Sequence, residues 1–173
     1  LRKPGSVGIP FPDNDVRIVD LETATTDMAL GEPGELICKG PTVMREYWNN
    51  PTETEKTFKD GWLLTGDIAT MAEDGHIFIV DRKKDMILSS GFNVYPREID
   101  ELMYSHPKVL QACSFGIPDE KRGESLKLAL VLKPGEEMTV EDAREFCKAN
   151  LSGYKVPKEV VFLDALPVTS VGK

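Results

Sequence analysis

The stretch DRKKDMILSSGFNVYPREID, residues Asp81–Asp100, decides the fold because the pattern of the sequence changes within it. Before it, short alternating segments are separated by turn residues, which is typical of β structure. After it, helical and extended patterns are mixed, which favours a small α+β domain. We therefore predict two domains, a β-rich one over residues 1–81 and an α+β one over residues 82–173.

The β-rich part contains five candidate strands and one candidate helix. The strands cover Asp15–Asp20, Gly34–Lys39, Trp62–Leu64, Ile68–Met71 and His76–Asp81. Between them, Asn50 can cap a helix that has Pro51 at its first position and Glu53 in place to complete a capping box. This pattern predicts a short helix that runs through Phe58.

The α+β part combines two helices with three extended runs. The first helix begins at Pro96 and ends before Pro107, because Ile99, Leu102 and Met103 recur at the spacing of one buried face. The other elements are a helix capped by Thr139 and extended runs at Val109–Ile117, Leu126–Lys133 and Lys158–Leu163. The sequence therefore predicts a three-stranded sheet covered by two helices.

The composition excludes several classes of function. A net charge of −8 and a pI near 4.9 argue against nucleic acid as a partner, because nucleic-acid affinity depends largely on Lys and Arg. The three cysteines, Cys38, Cys113 and Cys147, form no metal-binding or redox pair. The longest apolar run, Leu128–Leu132, is too short to span a bilayer, and the N-terminal LRKPGSVGIP lacks the apolar segment of a signal peptide. We expect a cytoplasmic protein without a transmembrane segment.

Taken singly, the candidate functional residues have ordinary structural interpretations. Gly66-Asp67 is typical of a turn after a strand, and the charge run Asp81–Asp85 is typical of a solvated surface. The segment Ser89–Asn93 is typical of a hairpin turn, and Lys173 of a solvated terminal charge. The sequence also lacks the glycine-rich motifs of Rossmann and P-loop nucleotide sites.

Together, however, these segments resemble the adenylate-forming enzymes, which include acyl-CoA synthetases, luciferases and peptide-synthetase adenylation domains. The resemblance rests on Thr65-Gly66-Asp67, on DRKKDMILSSGFNVYPREI and on the closing LPVTSVGK, which occur in the family's order. With LSGYKVPK, they look most like the long- and medium-chain fatty-acyl-CoA synthetases. The resemblance implies a C-terminal fragment, in which residues 1–81 end the large N-terminal domain and residues 82–173 form the mobile lid.

The resemblance also implies roles for five residues. Asp67 would accept hydrogen bonds from both ribose hydroxyls of ATP, since two carboxylate oxygens suit a vicinal diol. Arg82 would lie near the ribose and phosphate, and Lys84 would be the hinge of the lid. Gly91 would let the thiol-bearing arm of coenzyme A pass close to the backbone. Lys173 would reach the α-phosphate and the substrate carboxylate during adenylation, as the catalytic lysine.

The implied enzyme is an AMP-forming acid–thiol ligase that adenylates a fatty acid with ATP and transfers the acyl group to coenzyme A. Mg²⁺ would accompany ATP, but no metal ligand is assigned here, because the magnesium ligands, the phosphate loop and the acyl pocket lie outside this chain in the family. We therefore expect the fragment alone to be inactive. Its partners would be small molecules, and any peripheral membrane contact would involve regions outside the chain.

Two other functions fit the sequence. The first is an adenylation domain that loads a carrier protein, in which case a carrier domain with its modifiable serine would follow Lys173. The second is a non-catalytic interaction module that kept the fold, in which case the phosphate loop upstream would be degraded. The sequence of the neighbouring regions would discriminate among the three functions.

Overall fold

The computed structural model describes residues 3–167. The chain divides after Lys84 into two compact units. None of the helices in this part of the chain is long and apolar enough to cross a membrane. The assignment of residues 1–81 and 82–173 to two enzyme domains stays a prediction.

In the first unit, residues 3–84 form an antiparallel sheet and one short helix. The strands are β1 (Asp15–Val19), β2 (Gly34–Lys39), β3 (Phe58–Lys59), β4 (Trp62–Met71) and β5 (Ile77–Arg82), and the helix is α1 (Pro51–Thr57). Their order is β1-β2-β4-β3, with β5 also paired to β4. Ile18, Ala69 and Ile77 form the centre of the core cluster on this sheet. The predicted helix cap is confirmed, since the Asn50 side chain accepts a hydrogen bond from the Glu53 N–H.

The segment Thr65-Gly66-Asp67 lies inside β4, so the interpretation of Gly66-Asp67 as a turn is wrong. The two predicted strands on either side of it are one continuous strand. Gly66 has a φ of +71°, which a glycine adopts without strain, and the pairing with β5 shifts register between Ile68 and Ala69. The strand accommodates this irregularity as a bulge and continues, so Asp67 remains part of the sheet.

In the second unit, residues 85–167 form a mixed sheet with helices packed against it. The strands are β6 (Ile87–Ser89), β7 (Phe92–Val94), β8 (Val109–Asp119), β9 (Gly123–Leu132) and β10 (Glu159–Phe162). The helices are α2 (Pro96–Tyr104), α3 (Val140–Asn150) and a 3-10 turn at Gly153–Lys155. The order is β10-β9-β6-β7, with β8 paired to β9 and β10 parallel to β9. The core joins Ile99 and Met103 of α2 to Leu128 and Leu130 of β9 and Cys147 of α3.

The α+β class is confirmed, but the prediction of three strands in the second domain is wrong. The described part of that unit has a five-stranded sheet, because β6 and β7 join it. Each has only three residues, which is too short to produce a visible alternation of apolar and polar side chains. The two predicted α-helices are confirmed, and Thr139 and Asp142 form a full capping box at the start of α3.

Candidate functional site

Asp67 and Arg82 lie opposite each other in the ladder between β4 and β5. Arg82 Nε is 2.8 Å from Asp67 Oδ1, and the side chains are 28% and 59% exposed for Asp67 and Arg82 respectively. The carboxylate is thus held by the guanidinium on one side and still reaches solvent. Such a pair can accept hydrogen bonds from hydroxyl groups and donate them to phosphate oxygens.

Thr65 fixes the backbone in front of Asp67. Its hydroxyl donates a hydrogen bond to the carbonyl oxygen of Leu36 at 2.7 Å and accepts one from the N–H of Asp67 at 3.0 Å. The hydroxyl therefore bridges β2 and β4 where the regular ladder is interrupted, and the threonine of the Thr-Gly-Asp motif has a local structural role that the sequence alone did not assign.

Glu35 is a buried acid beside this pair that sequence reasoning missed. Only 2% of the residue is exposed. Its Oε2 accepts a hydrogen bond from Lys83 Nζ at 2.6 Å, and its Oε1 accepts one from the N–H of Gly66 at 3.3 Å. The interpretation of Asp81–Asp85 as a solvated charge run is therefore wrong for Lys83. The only sequence signal was a charged residue at the start of a predicted strand.

Gly91 lies in the tight turn between β6 and β7. Its φ is +81°, and a Cβ built on it would meet no heavy atom within 4 Å. The turn is therefore approachable from outside, and conformation rather than space favours glycine there. The N–H of the preceding Ser90 donates a hydrogen bond to the carbonyl oxygen of Arg122 at 2.9 Å. This bond fastens the Gly91 turn to the tip of the β8–β9 hairpin.

A basic surface cavity of about 390 Å³ begins at the same hairpin tip, and we call it the basic pocket. Its charged lining residues in the described part of the chain are Asp119, Lys121, Arg122, Arg144, Lys148 and Lys158. Arg144 Nε is buried and has no hydrogen-bond partner among residues 3–167. A concave site with an excess of cationic donors is suited to phosphate groups. Sequence reasoning treated the segment at its rim, PDEKRGE, only as a polar loop.

Asp119 organises the rim of the basic pocket. The Lys158 ammonium, whose Nζ is 2.7 Å from Asp119 Oδ2, lowers the pKa of this carboxyl to about 2. Hydrogen bonds from the N–H groups of Lys121 and Arg122 to Asp119 Oδ1 lower the pKa in the same direction. The carboxylate therefore holds the loop that carries two of the pocket's cations.

The structure brings together only some of the predicted site residues. Asp67 and Arg82 form a pair in the first unit, and Lys84 is the last residue of that unit. Gly91 lies in the second unit beside Arg122. Lys173 lies outside the described residues. Residues 3–167 contain no group of three or more His, Cys, Asp or Glu side chains placed to hold a metal ion.

Comparison with known families matches both ends of the chain. A model described as "AMP-binding enzyme" matches residues 1–48, and one described as "AMP-binding enzyme C-terminal domain" matches residues 98–173. A long-chain-fatty-acid–CoA ligase of Yersinia pestis is 53% identical over 169 residues. The match covers 98% of this chain and 30% of the ligase, so the chain spans about 30% of the length of that relative.

Solved structures show the same relationship. ATP-bound MatB from Rhodopseudomonas palustris superposes with a TM-score of 0.91 at 34% identity, over 99% of this chain and 34% of MatB. The o-succinylbenzoate CoA synthetase MenE from Bacillus subtilis, in complex with its acyl-adenylate intermediate, gives a TM-score of 0.87 at 34% identity, over 99% of this chain and 34% of MenE.

Proposed function

The chain belongs to the AMP-binding enzyme family, and we propose that it supplies the C-terminal part of an ATP-dependent fatty-acyl-CoA ligase. In the first step a carboxylate oxygen attacks the α-phosphorus of ATP, and pyrophosphate leaves with the bonding electron pair. In the second step the thiol of coenzyme A loses its proton and attacks the acyl carbonyl, and AMP leaves. Mg²⁺ would accompany ATP, and its ligands would lie in the part of the enzyme outside this chain.

The Asp67–Arg82 pair is the observation that carries the proposal. Asp67 accepts hydrogen bonds from the ribose hydroxyls of ATP, and Arg82 orients Asp67 while its exposed guanidinium faces the nucleotide. The 2.8 Å separation and the 28% exposure of Asp67 support this division of roles, since the carboxylate is both held and accessible. The ATP in MatB and the acyl-adenylate in MenE are ligands of the chemistry we propose.

Coenzyme A, rather than a carrier protein, is the acceptor in this proposal because of the basic pocket. Coenzyme A carries a diphosphate and a further phosphate on its ribose, whereas the arm of a carrier protein carries a single phosphate. Apart from Lys158, which pairs with Asp119, four cationic side chains line the cavity, and these exceed what a single phosphate needs. The hydrogen bond from Ser90 to Arg122 places this cavity beside the Gly91 turn, where the thiol-bearing arm would pass.

The proposal also includes roles for Lys173 and Lys84, which were inferred from the sequence. Lys173 offsets negative charge at the α-phosphate during adenylation. Lys84 is the pivot about which residues 82–173 turn between the two steps, with residues 1–81 as the end of the large domain. The division of the chain after Lys84 supports a pivot at this position. The small-molecule partners and the cytoplasmic location inferred from the sequence stay predictions.

The test uses two proteins. The 173-residue chain alone should give no ATP–pyrophosphate exchange with a fatty acid. A chimera, in which the chain replaces the matching 169 residues of the Yersinia pestis ligase, should restore exchange and form the fatty-acyl-CoA thioester. Turnover by the chain alone would contradict the fragment assignment. A folded chimera that binds neither ATP nor coenzyme A would support the non-catalytic module instead.

A further inference from the structure

We infer that Glu35 is a positioning residue that sets the geometry of the Asp67–Arg82 pair and anchors the chain at Lys83, one residue before the end of the first unit. The inference deepens the proposed function and rests on it, because nucleotide binding at Asp67 and Arg82 is what this positioning serves. Neither the motifs of the sequence nor the matched families' descriptions assign Glu35 a role.

The burial of Glu35 needs an explanation other than stability. Its side chain is 3% exposed, and its partner Lys83 is 35% exposed. Removing a carboxylate from water is unfavourable, and the attraction within a buried ion pair offsets this loss only when the geometry is good. A buried pair is therefore weak evidence for stabilisation, and its best-attested role is to select one arrangement of the chain.

The contacts of Glu35 lie immediately beside the two site residues. One carboxylate oxygen accepts from the N–H of Gly66, which precedes Asp67, and the other accepts from Lys83 Nζ, which follows Arg82. The N–H of Lys83 in turn donates to the carbonyl oxygen of Gly66 at 2.8 Å. These three bonds form a closed ring, so a displacement of Glu35 shifts both members of the site pair.

The backbone pairing is irregular around Glu35, so we attribute the positions of Asp67 and Arg82 partly to the Glu35 side chain. The β2–β4 ladder shifts register between Glu35 and Ile37. The β4–β5 ladder shifts between Ile68 and Ala69. Where a bulge interrupts a ladder, the backbone bonds fix the local register less firmly. Glu35 borders the first interruption, and its side chain contacts Gly66, two residues before Ile68 at the second, and Lys83 after β5.

The same ring anchors the chain immediately before the end of the first unit. Lys83 is held through its side chain by Glu35 and through its N–H by Gly66. Lys84 follows immediately and closes the unit. Any torsional change at Lys84 thus begins next to an anchored residue, which keeps Arg82 in place while the following residues turn.

The experiment measures KM for ATP in the pyrophosphate exchange reaction of the chimera. Glu35→Gln should raise this KM about tenfold with little change in kcat, the size expected for coupled neighbours in one network. In an Asp67→Asn background, Glu35→Gln should add no further increase, because Glu35 acts through that pair. Glu159→Gln, which removes the acid of the exposed Lys127–Glu159 ion pair, is the matched control and should change nothing.

Folding is controlled separately. If Glu35→Gln lowers the yield of folded protein, the double variant Glu35→Gln/Lys83→Met removes both charges and avoids leaving one buried alone. It should still raise KM for ATP about tenfold. An unchanged KM in a folded variant, or an increase that adds fully to that of Asp67→Asn, would overturn the inference.

A second measurement separates this inference from the proposed function. If the proposed function is wrong, the wild-type chimera will show no exchange, or the Asp67→Asn variant will have a normal KM for ATP. In that case the backbone amide NMR shifts of Asp67 and Arg82 in the 173-residue chain test positioning by Glu35 on their own. Glu35→Gln should shift both amides and leave that of Leu128 unchanged, and unshifted Asp67 and Arg82 amides would refute positioning by Glu35.

Discussion

Asp67 and Arg82 face each other across β4 and β5, with 2.8 Å between Asp67 Oδ1 and Arg82 Nε. The pair lies near the end of the ladder, because Arg82 is the last residue of β5 and the register shifts between Ile68 and Ala69, just beyond Asp67. Side chains of Thr65 and Glu35 contact the backbone beside Asp67, so we expect the pair to be sensitive to single substitutions around it.

Asp67→Asn should raise KM for ATP in the chimera by about tenfold to a hundredfold. An amide has one acceptor oxygen, so one hydrogen bond from the ribose to a charged group is lost, and such bonds contribute about 1.5–3 kcal/mol. Pyrophosphate exchange at varied ATP concentration measures the effect. Asp27→Asn, at the exposed Arg17–Asp27 pair, is the control. A normal KM for ATP in Asp67→Asn would remove the ribose assignment.

Lys173→Ala should slow formation of the acyl-adenylate by about 10²–10³-fold, because a charge contact to the transition state is lost. Supplying pre-made acyl-adenylate and coenzyme A should restore most of the rate. The measurement is the pair of half-reaction rates in the chimera, with Lys56→Ala on the exposed surface of α1 as the control. Equal losses in both half-reactions would argue against a role confined to adenylation.

Lys84→Pro should spare adenylation and strongly impair thioester formation. Proline fixes φ and removes one backbone donor, which restricts rotation without removing a group that contacts substrate. Lys84→Ala keeps the torsional freedom and should retain both rates. If Lys84→Pro lowers both rates together, or changes neither, the pivot lies elsewhere in the chain.

Arg122→Gln and Arg144→Gln should each raise KM for coenzyme A about tenfold and leave KM for ATP unchanged, because each removes a charged donor from the basic pocket. The comparison substrate is dephospho-coenzyme A, which lacks the ribose phosphate. If the replaced arginine contacts that phosphate, the variant should have the same KM for coenzyme A and for dephospho-coenzyme A. Arg97→Gln, on α2, is the control. Unchanged KM values for both variants would exclude the pocket from coenzyme A binding.

Asp119 should make the second unit sensitive to acid. Its pKa is held near 2, chiefly by the hydrogen bond from Lys158, whereas an unfolded aspartate has a pKa of about 3.9. The unfolded state therefore binds the proton first, and the free energy of unfolding falls as the pH drops from about 4 towards 2. Asp119→Asn should weaken this pH dependence, and the exposed Asp164→Asn should not. Urea unfolding midpoints at pH 5 and about pH 2.5 measure the difference.

The sequence predicts those parts of the fold whose signal is local. The bounds of β2 and the Thr139 cap of α3 follow from alternation and from the residue type at the helix start, because nearby residues determine both. The short strands β6 and β7 were missed as strands, since three residues carry no period. Gly66 was misinterpreted because a glycine inside a bulged strand has the same local signature as a turn.

The candidate site depends more on tertiary packing. The roles of Asp67 and Arg82 came from a family resemblance, and their contact depends on a strand register that no local pattern reveals. Glu35 and Arg144 were missed because only the folded chain shows that one is buried and that the other lines a cavity. A charge pattern shows where charged residues lie along the chain. It does not show which of them are buried, because burial depends on contacts between segments that are distant in the sequence.

The bond between Ser90 and Arg122 also limits how this protein can be labelled. Exposed hairpin tips normally tolerate inserted epitopes or fluorophore loops. The tip between β8 and β9 looks suitable from its exposure, but its backbone anchors the Gly91 turn. We expect a tag inserted there to displace the Gly91 turn as well, although that turn lies far away in the chain. The turn at Glu73 and Asp74 is a better position for a reporter, because it is exposed and its distant contact is a surface ion pair with Lys3 rather than a backbone hydrogen bond.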